Sequence, residues 1–318
     1  MDYYDIKKVS SSSLKWFEVS PKYFLKMYLK ELDEENKFIY KKGTMVHTYL
    51  LEPEVFGKEY VFLDFETPKS QQQKDFCDKV ARFKKGNKKE ILLRAYRDCY
   101  STKEPDEKVL EKATSLEKQY KDYIKSIKIS TIKIVIPKSS DDKLKEITQE
   151  IKNHKVASKL IFGDLDNLFE KTEVHNEFQI YWKFMNVECK SMIDRLIIDH
   201  ENKIIKLVDL KTSSTYDEFD DKLFEYDYNR QLAFYWLAIY NWAKQNNIII
   251  DDYKKETYIV AINMKEPTEV KVYSITDKTL NMGLNSIERI MKELEWHFET
   301  NNWDYTRDYY EGDGTIKI

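Results

Sequence analysis

Residues 206–214, KLVDLKTSS, place Asp209 and Lys211 in an apolar run that begins at Ile204. Extended backbone alternates its faces, so the two side chains point the same way, beside Leu207, at the end of a core strand. Burying a carboxylate and an ammonium is costly unless something compensates both. Flanking hairpins extend the pattern. A tight turn at His200–Glu201–Asn202 sets Asp194 opposite Asp209 or its neighbour, and a turn at Met185–Asn186 sets Glu177 opposite Asp194. Three carboxylates then form a row across three strands, where like charges repel unless a cation sits among them. A slip of one residue would turn any of them to the other face.

Hard oxygen ligands of this kind suit Mg²⁺ or Mn²⁺ rather than a thiophilic metal. Such an ion acidifies a water and offsets charge on a phosphodiester in transition. Lys211, on the same face, is placed to orient or deprotonate that water and to contact the scissile phosphate. The expected chemistry is metal-dependent phosphodiester hydrolysis. An isolated Asp-x-Lys is usually plain surface charge, so the expectation rests on the constellation and not on the tripeptide.

The elements that must hold these residues can be read in order. SSSLKWFEVSPKYFLKMYLKELD (10–32) opens on capping serines, has helical spacing, and is split in two by Pro21. In KKGTMVHTYLLEPEVF, Gly43 precedes an apolar helix carrying His47. Residues 69–128 are charged, helical and lysine-rich, and read as an arm of about residues 65–130 inserted into a single domain spanning 1–318. TIKIVI (131–136) reads as a short strand, 139–153 as a helix, and HKVASKLIF as its continuation. EFQIYWKF (177–184), VECKSMIDRLIID (187–199) and KIIKLVDLKT (203–212) read as an antiparallel meander. A helix over 227–245, strands near 256–263 and 269–275, and an amphipathic helix over 277–299 follow. The fold class is α+β: a mixed central sheet flanked by helices, built mainly from residue 170 onward with help from the first sixty.

Composition narrows the function classes. The 318 residues are 42% hydrophobic, enough for a sizeable core, and no apolar run is long enough to span a membrane. The start, MDYYDIKKVS, lacks a signal-peptide pattern, so a soluble, cytoplasmic protein is expected. Cys77, Cys99 and Cys189 are far apart and form no CxxC pair, which speaks against a disulfide framework or a zinc or iron–sulfur site. A formal charge of −3 announces no polyanion partner, although a local basic patch is enough to bind one. No GxxxxGK[ST] is present, so no ATP-driven motor is expected within the chain.

The motif series resembles the PD-(D/E)xK nucleases, and within them the RecE-type phage exonucleases (exodeoxyribonuclease VIII) of the RecB-like group. SSSLKWFEVSPKYF is similar to that group's entry helix, GTMVHTYLLEP to its Gly-x-x-x-His motif, and EFQIYW to its Glu ahead of an aromatic pair. CKSMIDRL is similar to its Lys-x-x-x-Asp segment, VDLKT to its Asp-x-Lys, and YNRQLAFYWLAIY to its Gln-x-x-x-Tyr helix. The resemblance covers most of the chain apart from the arm. Two departures stand out. Ile193 replaces the usual proline before Asp194, and Ser20 stands where some relatives carry an iron–sulfur cysteine, so no such cluster is implied.

The resemblance implies that His47, Asp194, Asp209 and the Leu210 carbonyl hold Mg²⁺ or Mn²⁺, with Glu177 in support and Lys211 positioning the water. It places Gln231, Tyr235, Lys190 and Thr212 near the DNA backbone, with Ser213 beside them. Each has a plainer alternative. His47 can be a satisfied helix histidine, Glu177 a solvated charge opening a strand, and Asp194 a partner of Arg195. Lys190 can merely balance the acids, Tyr235 be core, and Gln231 mark a boundary. His154, His175, His200 and His297 lie in turns or helix ends and read as structural. Lys84–Lys85 and Lys88–Lys89 are either solvated faces or DNA contacts, and the 23 tyrosines either ordinary aromatics or stacking platforms.

What the resemblance implies in function is digestion of double-stranded DNA ends, 5′ to 3′, to leave single strands for recombination. It also implies a homo-oligomeric ring, a single-strand-annealing partner, and phage or prophage origin in a bacterial host. The rivals are a structure- or sequence-specific endonuclease on the same core, and a non-catalytic recombination accessory or inhibitor.

Overall fold

The computed structural model describes residues 3–32, 37–83, 86–130, 132–163, 172–213 and 219–315. After a 3-10 turn at Tyr3–Asp5 come α1 (Ser11–Val19), α2 (Pro21–Tyr28), α3 (Lys37–Leu51), α4 (Pro53–Glu59), β1 (Tyr60–Leu63) and α5 (Gln71–Arg82). The chain continues through α6 (Lys88–Tyr100), α7 (Asp106–Gln119), α8 (Lys121–Ile129), β2 (Ile134–Pro137), α9 (Lys138–Asn153) and α10 (Lys155–Phe162). Then follow β3 (Thr172–Phe184), β4 (Val187–Asp199), β5 (Ile204–Ser213), α11 (Phe219–Glu225) and α12 (Tyr228–Gln245). The last elements are β6 (Lys254–Asn263), β7 (Val270–Ser274), α13 (Asp277–Thr300) and α14 (Arg307–Glu311).

Two compact units result: Met1–Glu52 with Ile147–Ile318, and Pro53–Glu146. The second has its own core, in which Phe76, Cys77, Leu92, Tyr96, Val109 and Tyr120 pack together, and a parallel β1–β2 pair. Its surface is laced with ion pairs. Lys88 meets Glu117 at 3.0 Å, while Lys84–Lys85 lie outside the described residues.

The first unit holds a five-stranded sheet in the order β3-β4-β5-β6-β7. β3, β4 and β5 form an antiparallel meander, β6 runs parallel to β5, and β7 is antiparallel to β6. A parallel neighbour requires a crossover, and α11 and α12 supply it. Apolar side chains surround α12, so it sits between the sheet and α13: Leu232, Phe234 and Ile239 share a core with Leu207, Ile259, Ile287 and Met291. The buried indoles find partners, Trp236 Nε1 on Thr257 at 2.8 Å and Trp182 Nε1 on Ser191 at 3.1 Å.

Local chemistry explains the helix borders. Ser13 Oγ accepts the Ser10 N–H at 3.0 Å to open α1. Ser20 Oγ accepts the Tyr23 N–H at 3.0 Å and Pro21 occupies the first turn of α2, which divides the two helices as expected. HKVASKLIF is a helix of its own, because His154 Nδ1 accepts the Val156 and Ala157 N–H groups and caps it. Gly43 lies inside α3 rather than ahead of it. A Cβ there would stand 3.3 Å from Thr212 Oγ1, so its missing side chain lets α3 lie close on β5.

Gly283 marks the tightest helix crossing. A Cβ on it would fall 2.4 Å from the Asn229 carbonyl oxygen and 2.9 Å from Arg230 Cα. Gly283→Ala is expected to destabilise the chain by about 1–3 kcal/mol through this overpacking, less the roughly 1 kcal/mol that alanine contributes in a helix. A denaturant midpoint unmoved at constant slope would show that α13 can shift away.

Among the described residues, no helix is long and apolar enough to cross a membrane.

Candidate metal centre

The site forms where β4 parts from β5. Their ladder runs from Asp199–Ile204 to Arg195–Val208 and stops. At the next position Asp194 replaces the ladder bond with its side chain, Oδ2 accepting the Leu210 N–H at 2.7 Å. On its other edge β4 pairs with β3 from Phe184–Val187 to Thr172–Asp199, with a gap opposite Asp194, at Glu177. The register is the expected one on both sides of the gap. Glu177, however, sits in mid-strand at φ 45°, a left-handed conformation uncommon for a non-glycine residue.

The face of the sheet changes at this break. His175 stacks on Phe178 at 4.5 Å although residues three apart in a regular strand face opposite ways. Ile193 and Leu196 are likewise both buried in one core. The expected flat row of three acids is therefore a corner. His47 from α3 reaches it, with Nδ1 3.6 Å from Glu177 Oε1 and 3.7 Å from Asp194 Oδ2. One ligand atom from each of His47, Glu177 and Asp194 lies within 4.8 Å of the others. Asp209 stands outside that trio.

Asp209 faces Lys211 instead. Lys211 Nζ donates to Oδ1 at 3.0 Å and lies 2.7 Å from Oδ2, where the angle is wrong for a hydrogen bond, so Oδ2 is left without one. Burial pushes the Asp209 carboxyl up to about 6, Lys211 opposes the rise, and Asp194 adds to it. Burial pulls Lys211 down, but Asp209 and Asp194 outweigh it and hold the ammonium above its usual range. Burial also lowers His47, and again Asp194 and Glu177 prevail and raise it. Each group therefore leans on charges that a cation would balance.

The donor set fits a divalent metal. One imidazole and two carboxylates converge, with no thiolate, and the buried Asp209 carboxylate stands in the same charged cluster, ion-paired with Lys211. The two carboxylates suit ions such as Mg²⁺ or Mn²⁺, with which a single borderline imidazole is compatible.

Of the other expected residues, Tyr235 is buried on α12 and Gln231 Nε2 donates to its hydroxyl at 2.9 Å. Burial first, then the charges of Asp194 and Asp209, raise the Tyr235 phenol well above its usual value, which places it within reach of the site's field. Thr212 continues β5 beyond Lys211, against Gly43. Leu210 meets Asp194 through its N–H. Lys190 differs from expectation. Its ammonium is buried and donates to the Tyr3 and Ile6 carbonyls at 2.8 Å each, 4.5 Å from the Tyr3 ring, so it anchors the N-terminal segment instead of facing phosphate. Arg195 does not pair with Asp194; it donates to Asn176, and burial pulls its guanidinium down to about 10.

Tyr228 was not among the expected residues. Its ring lies 4.9 Å from Lys211 Nζ and steadies that ammonium. The clue was its place one turn ahead of Gln231 on α12. Arg230, bonded to Glu18 at 2.7 Å and Asp227 at 2.8 Å, pins the start of that helix to α1.

No curated protein matches the chain. A solved structure from Eubacterium rectale, described as a "Putative exonuclease", is 15% identical over 90% of this chain and 95% of its own, with a TM-score of 0.39. The family model described as "PDDEXK-like domain of unknown function (DUF3799)" matches residues 10–306. With its α+β core, mixed central sheet and acidic–histidine corner, the chain belongs to that PDDEXK-like family.

Proposed function

We propose that the chain is a Mg²⁺- or Mn²⁺-dependent deoxyribonuclease that hydrolyses phosphodiester bonds from double-stranded DNA ends. The observation that carries this reading is the meeting of His47, Glu177 and Asp194, from three separate elements, beside the buried Asp209–Lys211 pair. His47, Glu177 and Asp194 would hold the ion, and Asp209, beside them and ion-paired with Lys211, would complete the set.

When bound, the cation supplies positive charge to a phosphate oxygen and acidity to a water. The chain's own groups do the rest. Lys211, fixed by Asp209 and Tyr228, presents an ammonium that donates to the attacking water or to a non-bridging oxygen. Asp194, itself held by the Leu210 N–H, keeps β5 and β4 at the separation that opens the corner. Gln231, whose Nε2 donates to the Tyr235 hydroxyl, and Tyr235 itself would lie toward the DNA backbone.

The motif resemblance supports an exonuclease working 5′ to 3′ as a ring, supplying single strands to an annealing partner in the cytoplasm of a bacterial host that carries a phage or prophage. End-labelled linear duplex and covalently closed circles, each with Mg²⁺ and with chelator, test this reading. The expected result is Mg²⁺-dependent release of the 5′ label with circles intact. Nicked circles would make the chain an endonuclease. Binding without cleavage in both Mg²⁺ and Mn²⁺ would make it a non-catalytic module.

A further inference from the structure

Arg195 retains 7% exposure, and no acid pairs with it among the described residues. Its Nη1 donates to Asn176 Oδ1 at 2.7 Å, and its Nε has no hydrogen-bond partner. Asn176 Nδ2 passes the link on, donating to the Leu51 carbonyl at 2.7 Å. A buried cation compensated by one amide is costly, and an apolar residue would pack there more cheaply. The neighbours of this chain of contacts give it a use. Arg195 follows Asp194, Asn176 precedes Glu177, and Leu51 lies one helical turn beyond His47.

We propose that Arg195 and Asn176 are positioning residues that set the spacing of His47, Glu177 and Asp194 for a divalent cation; this rests on the metal-site reading above. The link joins β4, β3 and α3, the three elements that each deliver one member of the trio. The Leu51 carbonyl ends α3 and has no partner within the helix, so Asn176 caps the helix while drawing it onto the strands. Glu177 holds its left-handed backbone next to this clamp, and such conformations persist only where the surroundings over-determine them. A planar guanidinium fork and a planar amide fix direction as well as distance.

Two variants of the full chain test this by Mn²⁺ titration, followed by electron paramagnetic resonance, with metal-free melting alongside. Asn176→Asp keeps an acceptor for Arg195 and adds a counter-charge, but turns an acceptor toward the Leu51 carbonyl. Arg195→Met removes the buried charge and leaves Asn176 able to reach Leu51. The expected result is Mn²⁺ binding weakened about 10- to 100-fold in Asn176→Asp, the range typical of outer-sphere partners, with a cooperative metal-free melt retained. Arg195→Met should weaken binding less and broaden the bound-Mn²⁺ spectrum. Unchanged affinity and spectrum in both variants would overturn the proposal. Loss of the fold in both would overturn it too, since the pair would then serve the fold and not the site. Absence of Mn²⁺ binding by the unmutated chain would instead defeat the metal-site reading itself.

Discussion

Lys211→Ala should cut cleavage about 100- to 10,000-fold while leaving Mn²⁺ bound, because in the proposed nuclease the ammonium would act on the reacting atoms and contribute no ligand. Lys211→Arg separates two roles for the lysine. Arginine keeps the charge but cannot give up its proton, so partial recovery means that Lys211 works as a donor, and none means that it must take a proton. Full turnover by Lys211→Ala would remove the residue from the chemistry. A second consequence concerns stability. Asp209 is 1% exposed, and without Lys211 its charge is buried without its direct ion-pair partner, a loss of up to about 3–5 kcal/mol in the metal-free chain. That penalty needs the carboxylate form. The melting midpoints of variant and parent should therefore converge as pH falls and Asp209 takes up a proton.

The sign of that pH dependence follows from the raised carboxyl. Between its ordinary 3.8 and about 6, folded Asp209 holds a proton that the unfolded chain has released. Stability of the metal-free chain therefore falls as pH climbs through that window, as far as Asp209 is concerned.

The parts of the fold legible in the sequence were those governed by short-range pattern. Alternation identified β3, β4 and β5, and the two tight turns fixed their register, because a strand with one buried face cannot slip without exposing its core. The division of the first helical segment at Pro21 was legible for a similarly local reason, while the Ser20 cap beside it was not read. What the pattern could not carry was the break in it. Glu177 at φ 45° and the departure of β4 from β5 reverse the faces between His175 and Phe178, and no single residue type announces that. Hence the row of acids became a corner, with Asp209 turned to Lys211. Lys190 was misread because its partners, the Tyr3 and Ile6 carbonyls, are backbone groups more than 180 positions away. The alternative pairing of Asp194 with Arg195 fails because strand neighbours alternate: the arginine beside the aspartate points elsewhere, to Asn176.

Asp194 carries two duties, and two substitutions can divide them. As a ligand it contributes charge; as an acceptor it satisfies the buried Leu210 N–H at 2.7 Å, where a ladder bond would otherwise be. Asp194→Asn keeps an oxygen for that N–H but loses the charge. Asp194→Ala loses both. Cleavage should fall at least about 1,000-fold in each, since several kcal/mol of charge stabilisation in the transition state depend on holding the ion. Stability should part them. Alanine leaves a buried N–H unpaired, at about 1–3 kcal/mol, while asparagine leaves it bonded. Asparagine also withdraws the Asp194 charge that helps to raise Asp209, so the loss of stability between pH 3.8 and about 6 should shrink. At pH 8 without metal, Asp194→Asn should melt at or above the parent and Asp194→Ala below it. Equal melting of the two would mean that the Leu210 contact holds nothing together. Retained Mn²⁺ binding and cleavage in Asp194→Asn would show that the Asp194 charge is not needed to hold the ion.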